Sequence, residues 1–192
     1  MANLIQTTTE LAMHIVCGYI KPGDTLVDAT CGNGLDTLRL ARTAPQKLYA
    51  FDIQKQAIDN TRRLLIDNGF SSELDNNTIR LIADSHENID SYVTLPVKAI
   101  VFNLGYLPGG CKEITTSKVS TRTAAEKALN ILQKDGILCI TMYSGHREGA
   151  DEKETLLKWS SQLEPHTYHS AYISINNQKN DPPEILLITK KR

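Results

Sequence analysis

One short segment, Asp28-Ala29-Thr30-Cys31-Gly32-Asn33-Gly34, combines an acid with two glycines. The acid lies near the end of an apolar run, and the glycines follow where the chain is expected to turn into a helix. Glycines in such a turn let the backbone approach a ligand closely and place it at the helix N-terminus. A dinucleotide fingerprint would have a third glycine where this chain has Thr37, so the pattern disfavours a nicotinamide cofactor. A tight turn without any ligand is the alternative.

Two further apolar runs also end in polar residues. Asp52 lies 20 residues after Gly32, where a strand-end carboxylate can accept hydrogen bonds from both hydroxyls of a ribose. The next run ends in Asp84, Ser85 and His86. Asp and Ser are also favoured as helix N-caps, so a purely structural role is the alternative for that group.

The fourth run ends in Asn103-Leu104-Gly105-Tyr106, which resembles a motif of methyltransferases that act on amino groups, and the chemistry of such a reaction explains the residue types. A nitrogen donor must present its lone pair while its N–H bonds are held by carbonyl oxygens. The Asn103 side chain and a nearby main-chain carbonyl can hold them, and the Tyr106 ring can stack on a flat base. The alternative is a plain turn at Gly105 in which the tyrosine only packs.

A fifth run is followed by Tyr143, Gly145, His146 and Gly149. Parallel strands bring their carboxyl ends to one sheet edge, and ligands of open α/β sheets bind there. His146 is therefore either a group that meets the substrate or an ordinary surface histidine.

The elements that position these residues alternate between apolar β-rich runs and amphipathic runs of helical length. This pattern is typical of βαβ units that build a parallel sheet covered by helices on both faces. We predict strands at 25–30, 47–53, 79–83, 99–103, 137–143, 167–175 and 184–189, and helices at 8–19, 36–43, 54–68, 86–91, 122–133 and 151–162. The last two strands follow each other without a helix. The fold class is therefore α/β, with a mostly parallel seven-stranded sheet and a C-terminal antiparallel hairpin.

Length and composition narrow the class of protein. The 192 residues fit one domain, residues 1–192. A formal net charge of −1 argues against a protein that coats nucleic acid nonspecifically. The four cysteines form no C-x-x-C pair, so we predict neither a metal site nor a disulfide framework. We expect a cytoplasmic protein with no membrane role, because no apolar run could span a bilayer and the amino terminus does not resemble a signal peptide.

Together, the motifs resemble those of class I methyltransferases that use S-adenosylmethionine (SAM). The acid-x-x-x-Gly-x-Gly segment is similar to their first motif, and Asn103-Leu104-Gly105-Tyr106 resembles the Asn-Pro-Pro-Tyr motif of amino-group methyltransferases, with Leu-Gly replacing Pro-Pro. Nearly the whole chain is similar to a small bacterial family long labelled rRNA methylases, through D-A-T-C-G-N-G-L-D-T, F-D-I-Q, F-N-L-G-Y-L-P-G-G and Y-S-G-H-R-E-G. The resemblance implies a Rossmann-like fold and SAM as the cofactor. It also implies that the chain methylates 5-aminomethyluridine, or its 2-thio form, at the tRNA wobble position, giving the 5-methylaminomethyl nucleoside.

The same resemblance implies the roles of individual residues. The cofactor would be bound by Asp28, Thr30, Gly32, Asn33, Gly34, Asp36, Thr37, Asp52, Gln54, Asp84, Ser85, His86 and Asn103. Catalysis would depend on Asn103, Tyr106 and His146, and substrate would contact Tyr106, Lys112, Tyr143 and His146. The implied partner is tRNA, bound through its anticodon stem-loop, and a homodimer is a further expectation. The implied reaction uses no metal.

Two other functions fit the same patterns. The chain could be a SAM-dependent methyltransferase acting on another amine, in rRNA or in a small molecule. It could also be a non-catalytic RNA-binding module that keeps SAM for stability. Methyl transfer from labelled SAM to bulk tRNA separates these alternatives from a tRNA methyltransferase.

Overall fold

The computed structural model describes residues 6–104, 118–145, 147–179 and 181–191 of the chain. Its centre is a seven-stranded sheet. The strands are β1 (Thr25–Asp28), β2 (Lys47–Asp52), β3 (Ile79–Ala83), β4 (Val97–Asn103), β5 (Leu132–Met142), β6 (Tyr168–Ile173) and β7 (Glu184–Lys190). The helices are α1 (Thr8–Tyr19), α2 (Leu35–Ala41), α3 (Lys55–Asp67), α4 (Ser71–Asp75), α5 (Ile89–Tyr92), α6 (Lys118–Ile131) and α7 (Arg147–Ser160), with a 3₁₀ turn at His86–Asn88.

The strands lie in the order β3-β2-β1-β4-β5-β7-β6. The first five are parallel to one another, whereas β7 runs antiparallel to both β5 and β6. This topology confirms the predicted α/β class and its antiparallel C-terminal pair. The strand order reverses at β1, which lies between β2 and β4, and open sheets of this kind bind ligands in the crevice at such a reversal.

The core consists of two apolar layers, one on each face of the sheet. Val16, Leu40 and Leu65 of the first three helices belong to one layer. The other layer contains residues of α6 and α7, among them Leu129 and Trp159. The central strands are therefore apolar on both faces, as expected for a parallel sheet sandwiched between helices.

The structure differs from the predicted boundaries mainly in the second half of the chain. The helix predicted to start at residue 151 begins at Arg147, because Gly149 is buried within it and packing overrides the low helix propensity of glycine. The helix predicted to end at residue 133 ends at Ile131, and β5 starts at once, then bends at Asp135, whose φ is 57°. The short helix α4 was not predicted.

Within the described ranges, no helix combines the length and the apolar character needed to cross a bilayer. The same residues contain no cluster of three or more histidine, cysteine or carboxylate side chains that could hold a metal ion.

Candidate active site

The turn between β1 and α2 is as tight as its glycines suggest. Gly32 and Gly34 have positive φ values, 52° and 85°. The Gly34 N–H donates to the Cys31 carbonyl at 2.7 Å. A Cβ atom on Gly34 would lie 2.9 Å from the Cα of Thr61 in α3, so no larger residue fits without displacing that helix. The turn therefore packs directly against α3 and starts α2 at the carboxyl edge of the sheet.

Asp52, at the end of β2, connects the neighbouring strand to this turn. Its Oδ2 accepts a hydrogen bond from the Gly32 N–H at 3.1 Å, and its Oδ1 accepts one from the Gln54 N–H at 2.9 Å. Burial raises the pKa of this carboxyl, and the backbone hydrogen bonds oppose that shift. Each carboxylate oxygen has a second lone pair, so Asp52 can also accept hydrogen bonds from two hydroxyls of a ligand.

Asp28 is a buried acid beneath the turn. Its Oδ2 accepts a hydrogen bond from the Thr37 hydroxyl at 2.6 Å, and its Oδ1 accepts one from the Thr30 N–H at 3.2 Å. Burial, and then the nearby Asp36 carboxylate, raise the pKa of Asp28 to about 7. A bound cation near these two acids would relieve their repulsion.

Asn103, at the end of β4, is fixed by two hydrogen bonds. Its N–H donates to the Thr30 hydroxyl at 2.6 Å, and its Nδ2 donates to Asp36 Oδ2 at 3.2 Å. Its Oδ1 is buried and has no partner within the described part of the chain. A buried acceptor without a donor is costly, so this oxygen suits a donor that arrives with a ligand.

Of the three predicted residues after β3, Asp84 and Ser85 form local hydrogen bonds, and His86 is buried. Asp84 accepts hydrogen bonds from the Tyr92 hydroxyl at 2.8 Å and from Asn88 Nδ2 at 3.1 Å, and Ser85 accepts one from the Glu87 N–H at 3.2 Å. His86 is buried, with its ring edge-on to Phe102 at 5.6 Å. Burial lowers its pKa, which favours the neutral imidazole, and its Nε2 has no partner among the described residues.

This chain is similar in sequence and fold to a family of known proteins. Residues 48–189 match the family model described as "Putative rRNA methylase". The chain belongs to this family. A "putative rRNA-methylase" crystal structure from Clostridium thermocellum is 36% identical, with a TM-score of 0.90, and the match covers 97% of this chain and 98% of that one. A "putative methyltransferase" from Streptococcus mutans, crystallised with S-adenosylhomocysteine (SAH), is 34% identical with a TM-score of 0.86, and the match covers 97% and 99% of the two chains.

A curated relative comes from a plant. The chloroplastic tRNA (mnm(5)s(2)U34)-methyltransferase of Arabidopsis thaliana is 37% identical over 164 residues, which are 81% of this chain. The chain spans 59% of the length of that relative. Together with the family match, these likenesses confirm methyltransferase as the predicted enzyme class and SAM as the predicted cofactor.

The described residues of this rRNA methylase family member fit SAM. The glycine turn and Asp52 suit an adenosine group. The acids Asp28 and Asp36 complement a cationic cofactor. Among the other predicted cofactor residues, Asn33 is exposed and accepts a hydrogen bond from Asn60 Nδ2 at 2.9 Å. Their contacts with the cofactor remain predictions.

Replacing Asp52 tests the cofactor site. We expect Asp52→Ala to weaken SAH binding roughly 10- to 150-fold, because about 1.5–3 kcal/mol of charge-assisted hydrogen bonding to the ribose is lost. Asp52→Asn keeps one acceptor oxygen and should fall between that variant and the parent. Isothermal titration calorimetry measures the affinities. Parental affinity in a folded Asp52→Ala protein would remove Asp52 from the site.

Asp28 should make stability depend on pH. Its folded pKa of about 7 lies above its ordinary 3.8, so between these pH values the folded chain holds a proton that the unfolded chain has lost. The stabilising contribution of Asp28 is therefore complete below the lower value and is lost as the pH rises to the higher one. We expect the difference in free energy of unfolding between Asp28→Asn and the parent to favour the variant by roughly 3 kcal/mol more at pH 8 than at pH 4.5.

Urea denaturation at both pH values, with SAM absent, gives the two differences. Thr61→Val, which also alters a buried polar side chain of this region, should shift stability equally at the two pH values. An Asp28→Asn effect that is the same at both would contradict the raised pKa.

The acceptor side of the site is described in part. Tyr143 follows β5 and is half-buried, and Gly145 beside it is exposed. Tyr106, Lys112 and His146 lie outside the described residues, so their catalytic and substrate-binding roles remain predictions.

Several residues at this edge were missed by the sequence patterns. Ile53 directly follows Asp52 and is 54% exposed, and Leu35 directly follows Gly34 and is 66% exposed. Exposed apolar side chains beside nucleoside-binding groups can cover the face of a flat base. The sequence contained a signal for these two residues, because an apolar residue directly follows each motif. A third missed group consists of Lys153, Tyr172 and Glu184.

Proposed function

We propose that this chain transfers a methyl group from SAM to the primary amine of 5-aminomethyluridine, or its 2-thio form, at the wobble position of tRNA. The product is the 5-methylaminomethyl nucleoside. The observation that carries this proposal is the buried Oδ1 of Asn103 at the carboxyl end of β4, which has no hydrogen-bond partner among the described residues. The likeness to a plant enzyme named for this nucleoside supports the choice of tRNA.

The reaction requires a neutral amine. Bound SAM would supply an electrophilic methyl group: the amine nitrogen would form a new N–C bond as the S–C bond breaks, with SAH as the leaving group. An aliphatic amine is largely protonated near neutrality and then has no lone pair, so one proton must first pass to water or to a base. The methylated nitrogen is then a secondary ammonium and stays largely protonated near neutrality, so one proton is released overall.

The task of Asn103 is to orient the amine. Its backbone is held by Thr30 and its side-chain amide by Asp36, so Oδ1 is presented in one direction. An acceptor fixed in this way can bind one amine N–H and direct the lone pair at the methyl group, and such orientation accounts for much of the rate of intramolecular reactions. Asn103 is not a base, so it orients the amine without removing its proton.

Recognition of tRNA should depend on shape and stacking more than on charge. The net charge of −1 leaves little general attraction for phosphates. An anticodon loop presents unstacked bases that proteins bind by stacking and by hydrogen bonds to their edges. A homodimer remains a further prediction for the way so small a domain holds a large RNA.

Transfer of a labelled methyl group tests this function against its alternatives. SAM with a radioactive methyl group is incubated with the protein and, separately, with tRNA from a strain lacking the gene, with rRNA from the same strain, and with small aliphatic amines. We expect label only in the tRNA. Label in rRNA or in a small amine would support the other acceptors, and SAM binding without any transfer would indicate a non-catalytic module.

A further inference from the structure

A second polar cluster lies on the antiparallel side of the sheet and includes Lys153 of α7, Tyr172 of β6 and Glu184 of β7. The Glu184 carboxylate accepts hydrogen bonds from the Tyr172 hydroxyl and the Ser144 hydroxyl, and it pairs with the Lys153 ammonium. Burial would raise the pKa of Glu184, but the Lys153 ammonium and the hydrogen bonds from Tyr172 and Ser174 outweigh burial and hold the pKa below its usual range. The carboxylate therefore stays ionised and is surrounded by donors.

The cluster lies at the edge of the sheet where an acceptor must enter. Glu184 pairs in register with Met142, the last residue of β5, which directly precedes Tyr143. Ser144, which follows Tyr143, bonds to Glu184 at 3.4 Å. The cluster is therefore connected to the segment predicted to contact the substrate, yet methyl transfer itself does not use it.

Tyr172 is exposed and held in place at the same time. Its side chain is 44% exposed although it is a large aromatic residue, while its hydroxyl is fixed by Glu184. The Lys153 ammonium lies 5.7 Å from the ring centroid, over one face. Because Lys153 covers one face, the exposed part of the ring offers its surface to another flat group, and the ring needs no further ordering to receive it. Rigid aromatic rings of this kind are the platforms on which single-stranded bases stack.

An open groove beside the cluster could take the backbone attached to such a base. It measures about 520 Å³ and is lined by Ser144, Ala150, Lys153, Glu154, Leu157 and Lys158. Lys158 is the lysine of this groove that is not engaged by Glu184, and a lysine ammonium is a natural partner for a phosphate. The groove lies beside the aromatic platform, and its surface is partly apolar and partly charged, with two lysines and the acid Glu154.

We propose that Tyr172 is a stacking platform for a nucleobase of the anticodon loop next to the nucleotide that is methylated, and that Glu184 and Lys153 are positioning residues that hold its ring. This inference rests on the proposed function, because it places the RNA at the same edge as the reacting amine. It adds a base-binding site on β6 that lies apart from both the cofactor and the amine.

The test replaces the ring and measures RNA binding separately from catalysis. The probe is a synthetic anticodon stem-loop with 5-aminomethyluridine at the wobble position. We expect Tyr172→Leu to raise both the Kd for this RNA and the KM for its methylation about 5- to 150-fold, as loss of one base–aromatic stack does. The kcat at saturating RNA and the affinity for SAH should stay at the parental values.

Three control variants make the result specific. Tyr172→Trp should restore RNA affinity, and Tyr172→Phe, which keeps the ring and loses only the hydroxyl bond to Glu184, should stay within a few-fold of the parent. Tyr19→Leu removes a tyrosine of similar exposure, 40%, at the end of α1, and should change neither RNA constant. Thermal unfolding of each variant shows that it is folded.

The outcomes separate the two proposals. A parent that binds the RNA but does not methylate it would overturn the proposed reaction and leave the platform to be judged by Kd alone. Parental Kd and KM in a folded Tyr172→Leu protein would overturn the platform, whether or not the parent methylates tRNA. A Tyr172→Leu protein with reduced thermal stability and kcat but parental Kd would also overturn it, because the ring would then only support the fold.

Discussion

Asn103→Ala is expected to lower the single-turnover rate of methyl transfer to tRNA by about 100-fold or more while SAM affinity stays within a few-fold of the parent. The variant loses the buried Oδ1 that has no partner in the described structure, and with it the group proposed to orient the amine. The cofactor keeps the glycine turn and Asp52. Rapid-quench kinetics with saturating SAM and RNA isolates the chemical step from binding and product release.

Asp36→Asn is the matched control for this prediction. The Asn103 amide donates to Asp36 at 3.2 Å, and an asparagine at position 36 can still accept that bond through its own carbonyl oxygen. Asp36 is also a predicted cofactor residue, so the two variants are compared with SAM saturating, where we expect the Asp36→Asn rate to stay well above that of Asn103→Ala. If a folded Asn103→Ala enzyme methylates tRNA at the parental rate across the pH range, Asn103-Leu104-Gly105-Tyr106 is only a turn.

The second large effect is on pH dependence. With both substrates saturating, the single-turnover rate should rise about tenfold per pH unit below the pKa of the acceptor amine, which resembles the amine of lysine. From pH 6.5 to pH 8.5 the total increase is about 100-fold. The cause is the growing fraction of neutral amine that has a lone pair for the methyl group.

Two variants test which titrating group causes the pH dependence of the rate. Asp28 titrates in the same range, with a pKa of about 7, so Asp28→Asn should leave the slope intact if the amine controls it. His146→Ala should flatten the profile only if His146 accepts the proton, since an unperturbed imidazole titrates near neutrality. A parental rate that does not change between these pH values would contradict attack by a free amine.

The sequence predicted the parts of this molecule that depend on local pattern. Apolar runs indicated the strands, and the segment from Asp28 to Gly34 indicated the turn. Glycine is required at position 34 because α3 lies too close for any side chain there. The position of Asp52 predicted a ribose contact. It did not predict that the same carboxylate also binds the Gly32 N–H, since that bond depends on how closely β2 approaches the turn.

Side-chain contacts between residues far apart in the sequence could not be predicted, because they depend on how the elements pack. Asp36 and Asn103 are 67 residues apart, and neither residue type alone indicates that one holds the other. Lys153, Tyr172 and Glu184 come from three different elements, and each is an ordinary surface residue type until the antiparallel strands bring them together. The start of α7 was missed because burial of Gly149 compensates for its weak helix propensity.

Nucleoside mass spectrometry of the RNA product tests the proposed reaction most directly. Wobble-unmethylated tRNA from a strain lacking the gene is incubated with the purified protein and SAM carrying a trideuterated methyl group, then digested to nucleosides. The 5-aminomethyl nucleoside, or its 2-thio form, should disappear as the 5-methylaminomethyl form appears with the mass of the deuterated methyl. An unchanged 5-aminomethyl nucleoside, or deuterium in any other nucleoside, would contradict the assignment.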